Sequence, residues 1–415
     1  MTNKIPESTT RDKILSAAFS LYEMNFSDAS LSRIAKKAGI TKTAIYRHFR
    51  DKNSLEKEMF RIVYDSFYDV LKRFSDKIKE DKPSEAFALI LEFIHKNTSF
   101  VSFYMLSAAE NSQDNLIIEM KKRKLPIFNE ILTSDGSINS LDFYVKTIFS
   151  TATIICMVSA RKKCPEISLS DEDFYKAAGT LILNGLQNSI SQITELRFAE
   201  LEQSVRDSIK DLDPPDRIII ALNSAIKKNG YKNVTLEEIA RELGMAKSSL
   251  YTWFTNKNDL FSKIIYKELD MLLTAVIENQ YCGQTMEERV FLIMSTSLEF
   301  LLSRPQLINV FQWLQLTENF GEKICTNPNF NMQQIIEDFF KKNPVTKSVP
   351  ELGFGTKNYE IITNWIFIMP VFTIFHGEKH GFTDNITRAA LRETFKMIEQ
   401  GLVLDKELNS QGGIK

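Results

Sequence analysis

At 415 residues the chain is long enough for two to four domains, each burying its own core. Its 52 Lys plus Arg against 53 Asp plus Glu leave it nearly neutral, so any surface for nucleic acid has to be local. With 15 Gly and 11 Pro it is too poor in turn residues for an all-β sandwich, and four Cys (156, 164, 282, 325) without a CxxC pair read as reduced, mostly buried thiols of a cytosolic protein.

The first residues, MTNKIPESTTRDK, lack the apolar run of a signal peptide. From residue 11 apolar side chains recur at three and four positions, the helical period, with Ile14, Ala17, Ala18 and Leu21 on one stripe. Phe26 follows, then LSRIAKKAGITKTAIYRHFRDKNSL at 31–55. The same period predicts helices at about 54–80, 84–96, 98–111, 115–133, 139–162 and 171–208. The stretch Asp211–Asp216 (DLDPPD) is the strongest punctuation and reads as a joint between two halves. Beyond it, Ile219, Leu222 and Ile226 form a second stripe, Tyr231 follows, and residues 236–260 read LEEIARELGMAKSSLYTWFTNKNDL. Further helices are predicted at about 259–280, 285–303, 305–318, 331–342, 356–377 and 383–405, with a disordered tail at 410–415. The most apolar run, Ile361–Phe375, is 15 residues, short of the about 20 that a bilayer needs, and predicts a buried helix kinked at Pro370.

The segments at 31–55 and 236–260 are one motif written twice, 205 positions apart without a gap. Gly39 and Gly244 sit where a tight turn between two helices needs positive φ. Ile34, Ala35, Ile45 and Phe49 are apolar where such helices would pack. Thr41 can cap the second helix by accepting a backbone N–H. Lys42 and Tyr46, and Thr43 and Arg47, are four apart and share the face away from Ile45 and Phe49. A helix offering hydroxyl, ammonium, phenol and guanidinium on one face suits the major groove: Lys42, Thr43 and Tyr46 can bond phosphates or base edges, and Arg47 can pair bidentately with guanine. His48 follows on, and Lys52, past the cap Asp51, can hold a phosphate. In the second copy the matching set is Lys247, Ser248, Ser249, Tyr251, Thr252, Trp253 and Lys257.

The motif resembles that of the tetracycline-repressor (TetR/AcrR-like) family. Copy one carries the resemblance through Ile34-Ala35, Gly39, Thr41, Ile45-Tyr46, His48-Phe49, Lys52 and Leu55. Copy two carries it through Ile239-Ala240, Gly244, Leu250-Tyr251, Phe254, Lys257 and Leu260. The resemblance implies an all-α fold of two TetR-like halves. Helix-turn-helix domains would span 8–53 and 213–258, and helical sensor and dimerisation domains 54–210 and 259–407. It also implies a cytoplasmic transcriptional repressor, a double-stranded DNA operator, a small-molecule effector and no cofactor. Family members pair as homodimers. This chain resembles two subunits in tandem, a monomeric pseudo-dimer joined through about 139–208 and 356–405, with a homodimer of four motifs as the alternative.

Copy two departs from copy one where it matters for DNA. Ala246 replaces the capping Thr41, Thr252 replaces Arg47, and Trp253 replaces His48. Residues 31–57 hold eight basic and two acidic side chains, whereas 236–262 hold three and four. Glu237, Glu238 and Glu242 supply much of that gap, and their helix position suggests that they face away from DNA. Phosphate attraction is expected to be weaker in copy two. A helical interaction protein that has lost DNA binding in one or both halves is the alternative from another class.

Phe100, Phe103, Tyr104, Trp313, Phe320, Trp365 and Met369 are the candidate lining of an apolar, aromatic effector pocket, with core packing the simpler reading of each alone. His376 and His380 in HGEKHG stand at metal-sharing spacing, but Gly377 and Gly381 predict a turn with two solvated histidines. Lys121–Lys124 reads as a solvated helix end. The chain has no GxSxG, phosphate-binding Gly loop, HExxH or Cys/His cluster, and is read as no enzyme and as holding no metal.

Overall fold

The computed structural model describes residues 9–24, 30–110, 116–125, 141–163, 167–186, 193–229, 234–253, 257–310, 354, 358–379 and 381–402. Every regular element among them is helical. The first half holds α1 (Thr10–Met24), α2 (Leu31–Ala38), α3 (Lys42–Tyr46), α4 (Lys52–Lys79), α5 (Pro83–Lys96), α6 (Thr98–Glu110), α7 (Leu116–Lys122), α8 (Leu141–Lys163) and α9 (Asp171–Asn184). Then come α10 (Glu195–Lys210), α11 (Arg217–Asn229), α12 (Leu236–Glu242), α13 (Lys247–Trp253), α14 (Lys257–Gln280), α15 (Met286–Ser303), α16 (Asn358–Lys379) and α17 (Asp384–Gln400). No described helix is long and apolar enough to cross a membrane.

Local chemistry starts these helices. Ser170, Thr194, Thr285 and Thr383 each precede a helix in extended conformation and accept a backbone N–H from its first turn. Pro83 opens α5, where its missing N–H has no partner to lose. Two expectations change. The helix expected to run to 133 ends at Lys122, with Lys124 at φ 54, and the rest of that stretch lies outside the described residues. The single helix expected at 171–208 is two helices, because α9 stops at Gly185, which has φ 56. The expected helix at 331–342, most of that at 305–318, and the tail at 410–415 lie outside the described residues.

The two halves meet through α8 and α9 on one side and α16 and α17 on the other. The Leu186 amide donates to the Ile398 carbonyl at 2.8 Å, and the Leu402 amide donates to the Ile182 carbonyl at 2.8 Å. Residues 182 and 398, and 186 and 402, are each 216 positions apart, so this is one contact made twice about a pseudo-twofold axis. Gly185 and Gly401 occupy the crossing at the same spacing, both with positive φ. A β-carbon on Gly185 would meet the Ile398 carbonyl, and one on Gly401 the Leu183 carbonyl. The break in the expected 171–208 helix therefore has a non-local cause, the backbone of the other half. Phe149 and Trp365, again 216 apart, touch across the axis with ring centroids 5.8 Å apart. The Trp365 indole N–H donates to the Thr153 hydroxyl at 2.8 Å, which satisfies a fully buried polar group. Cys156 is buried beside the Ile361 carbonyl, whereas Cys282 is exposed.

The helix that joins the halves packs on the second. α10 lies against α14 and α15. Phe198 stacks edge-on with Phe291 and Phe395, Arg197 donates to Glu288 from Nε and Nη2 (2.7 and 3.0 Å), and Glu202 accepts a similar fork from Arg392 on α17 (2.5 and 2.7 Å). Forked Arg–carboxylate pairs fix orientation as well as adding energy. After α10, Arg304 holds the DLDPPD joint. Its guanidinium donates to the Asp213 carbonyl and to Glu268, and Glu268 also accepts the Asp216 amide, with the Arg304 and Glu268 side chains only 3% and 1% exposed.

Candidate nucleic-acid interface

Each repeated motif folds as two short helices around a glycine. In copy one, Ser30 caps α2 through the Arg33 amide, and Gly39 takes φ 68 and ψ 31, which lets its amide and that of Ile40 return to the last α2 carbonyls. The Thr41 hydroxyl accepts the Ala44 amide at 3.2 Å and starts α3. Asp51 and Ser54 form a reciprocal capping box that starts α4. Ile34, Ala35, Ile45 and Phe49 are buried beneath, so Thr41, Lys42, Thr43, Tyr46, Arg47 and His48 are all left on the exposed side. Tyr46 is 48% exposed, unusual for so large a ring. Lys52 is half-buried and pairs with Glu56 at 3.4 Å, so its charge is partly answered within the chain. Arg11 lies over the Phe49 ring and pairs with Glu58, fastening α1 to α4.

Copy two reproduces the scaffold with different fastenings. Thr235 and Glu238 form a capping box at α12, Gly244 takes φ 69, and Met245 returns its amide to the Ala240 carbonyl. At Ala246 no hydroxyl is present, and the Ser249 amide reaches only the Ala246 carbonyl, at 3.0 Å. Lys247, Ser248, Ser249 and Thr252 are exposed, but Thr252 turns its hydroxyl back onto the Ser249 carbonyl at 2.7 Å. Tyr251 and Trp253 lie in α13 and Lys257 opens α14.

The three glutamates of α12 do not simply face away. Glu238 closes the capping box, and Glu242 ties α12 to α11 through Ser224 (2.6 Å) and Lys228 (2.7 Å). Glu237 pairs with Lys247, the first lysine of the second recognition helix. That pairing holds the Glu237 carboxyl below its ordinary range. The contact spans ten positions across a turn, and no i, i+4 rule exposes it in the sequence.

The candidate effector residues fall into two places. Phe100 and Phe103 are buried among Phe19, Tyr22 and Phe60, with centroid separations of 4.4 to 5.5 Å, in the seam between α1, α4 and α6. Tyr104 accepts the Leu116 amide at 3.0 Å. Trp365 and Met369 are buried at the junction of the halves, in a separate core from Phe100 and Phe103. Trp313 and Phe320 lie outside the described residues. An open cleft of about 380 Å³ between α10 and α17 is lined by the charged Glu202, Arg206, Arg388 and Arg392 together with Ala199 and Ala389. His376 lies on α16, which continues through Gly377 where a turn was expected, while His380 lies outside the described residues. Among the described residues no group of three or more His, Cys, Asp or Glu is placed to hold a metal.

This is the geometry of a helix-turn-helix protein with two reading heads on one chain. Residues 14–59 and 218–264 each match the family described as bacterial regulatory proteins, tetR family. The chain is similar to the HTH-type transcriptional regulator AcrR of Shigella flexneri, 29% identical over 28% of this chain and 60% of that protein. It is also similar to the fatty acid metabolism regulator protein of Bacillus subtilis, 25% identical over 36% of this chain and 82% of the relative. A third relative is an HTH-type transcriptional regulator of Staphylococcus aureus, 31% identical over 18% of this chain and 38% of that protein. The AcrR match thus spans less than two thirds of that regulator. Two stretches of the chain thus carry the helix-turn-helix domain of the TetR family in tandem.

Proposed function

We propose that the chain is a sequence-specific DNA-binding transcriptional regulator, a repressor, that works as a single-chain pseudo-dimer. The observation that carries this reading is the pairing of two helix-turn-helix heads with a reciprocal joint between the halves, in which Leu186 bonds Ile398 and Leu402 bonds Ile182. Two heads related in this way present two recognition helices, as a symmetric dimer does on two half-sites. The contacts assigned to DNA are Thr41, Lys42, Thr43, Tyr46, Arg47, His48 and Lys52 in head one. In head two they are Lys247, Ser248, Ser249, Tyr251, Thr252, Trp253 and Lys257. Because Arg47 and His48 face Thr252 and Trp253 at equivalent positions, the two half-sites differ. A small apolar or aromatic effector that prefers the non-binding spacing of the heads lowers DNA affinity by its differential affinity for the two states.

Selection of bound duplexes from a random pool, with light scattering on the free chain, tests this. The expected result is an imperfect inverted repeat bound by a particle of 47.8 kDa. A perfect palindrome protected equally on both arms, or a particle of twice that mass, overturns the asymmetric or the single-chain part respectively. No enriched sequence at all overturns the regulator. Operator affinity unchanged across a broad panel of apolar and aromatic compounds overturns the effector.

A further inference from the structure

We propose that Glu237 is an intramolecular competitor for Lys247 and sets the second head's DNA affinity below the first's. The inference rests on the DNA-binding reading above and adds a residue to it that does not itself touch DNA. Three observations meet here. Lys247 is the first residue of α13, the helix equivalent to α3, and so occupies the position of Lys42. Its ammonium is bound by Glu237 from the first turn of α12. In copy one the residue at the position of Glu237 is Ser32, and Lys42 makes no ion pair among the described residues.

The other two glutamates of α12 serve the fold, one in the cap and one on Lys228. Of the three, Glu237 is the one that pairs with the reading helix. Both members of the pair are about half exposed, 47% for Lys247 and 52% for Glu237, so water screens the pair and a phosphate can displace the carboxylate. The displacement has two consequences. A lysine already neutralised by a carboxylate contributes less counterion release when it meets a phosphate, and the freed carboxylate is left facing a polyanion. Head two therefore holds DNA with a shallower dependence on salt than its lysine count implies. The contact also reads as a discriminating device. Sites whose second half offers a closely placed phosphate break the pair, and other sites do not.

The full chain tests this with a random-sequence duplex of about 30 base pairs followed by fluorescence anisotropy across about 50–200 mM salt. Glu237→Ser, which installs the copy-one residue, is expected to tighten binding about threefold to tenfold and to steepen the log–log salt slope by about one. Ser32→Glu is expected to do the reverse in head one. In a Lys247→Ala background the gain from Glu237→Ser is expected to shrink to the part that the carboxylate's own repulsion of phosphate accounts for. A gain that persists undiminished without Lys247 overturns the proposal, because Glu237 is then a bulk charge. So does an unchanged Glu237→Ser in a chain that Lys247→Ala weakens. If neither Lys42→Ala nor Lys247→Ala alters binding, it is the DNA-binding reading that fails. Both Ser32 and Glu237 lie on the helix surface, and an unchanged thermal melt of each variant separates these outcomes from misfolding.

Discussion

The two heads share a scaffold and differ in how they are attached. Head one packs α1 on α6 and closes a core of its own, Ile14 to Met120, through the Phe19, Phe60 and Phe103 rings. Among the described residues head two shows no core separate from the rest. Its Ile219, Leu222, Ile239, Ala240 and Leu250 belong to one continuous cluster that also contains α8, α16 and the junction of the halves. The inserted helix α10 accounts for much of that continuity. In the first half α5 packs directly and extensively on α9. In the second, α10 lies against α15 and reaches α17 through Phe198 and Glu202. A duplication thus keeps the turn chemistry of both motifs while its linker turns one head into an extension of the dimerisation core. Motion of the junction is expected to reach head two more directly than head one.

The largest test of this difference compares two equivalent helix ends. α5 ends at Asn97, whose side chain donates to the Phe93 carbonyl of its own helix, and α15 ends at Arg304, which reaches across to the joint. Arg304→Ala leaves Glu268 buried without its cation and is expected to cost about 3–5 kcal/mol in chemical denaturation, with early hydrogen exchange in α11. Asn97→Ala is expected to cost about 1 kcal/mol. Equal costs would remove the case for a special tether on head two.

A smaller effect separates the caps. Thr41→Ala is expected to lower stability by about 1 kcal/mol and to weaken operator binding, whereas Ala246→Thr supplies the missing cap and is expected to raise stability by up to about 1 kcal/mol. Thermal melts of the pair check the signs, and a destabilising Ala246→Thr would show that head two has settled on another geometry.

The smallest is a pH effect in the first half. His95 on α5 meets the Tyr175 hydroxyl on α9 at 2.6 Å. Burial depresses the His95 pKa below its ordinary 6.5 and pushes Tyr175 up to about 12. Above pH 6.5 His95 is neutral folded or unfolded. Below it the unfolded chain binds the proton first, so stability falls with pH until the folded pKa is passed. His95→Gln is expected to flatten that fall between pH 7 and pH 5. An unchanged slope would mean that the imidazole is as free in the fold as in water.

Much of this molecule is legible in its residues because much of it is local. The Ile14, Ala17, Ala18 stripe, the Gly39 turn, the Thr41 cap and the Asp51 cap all act within a few positions, and the helices they imply are present. What the sequence hides is non-local. Asn184-Gly185-Leu186 reads as the interior of a long helix until Gly401 crosses it. Trp365 and Met369 carry the same apolar signal whether they line a ligand or the other half; here Trp365 meets α8 and Met369 is buried in the same core. Residues 195–210 read as the end of the first half, but their forked ion pairs run to the second. Glu237 reads in the sequence as a charge turned from DNA, and only the folded turn sets it on Lys247.

The reciprocal backbone bonds at Ile182, Leu186, Ile398 and Leu402 are made within one chain, and in the proposed single-chain regulator this removes mass action from assembly. Two separate subunits fall apart on dilution, and their active fraction varies with copy number. Two halves on one polypeptide meet at a fixed effective concentration set by the linker. A cell holding a handful of such molecules would keep each one assembled, and occupancy of the operator would follow its amount to the first power. The fusion also denies exchange. Neither half can be traded for one from another chain, so the two unlike heads stay paired through every division.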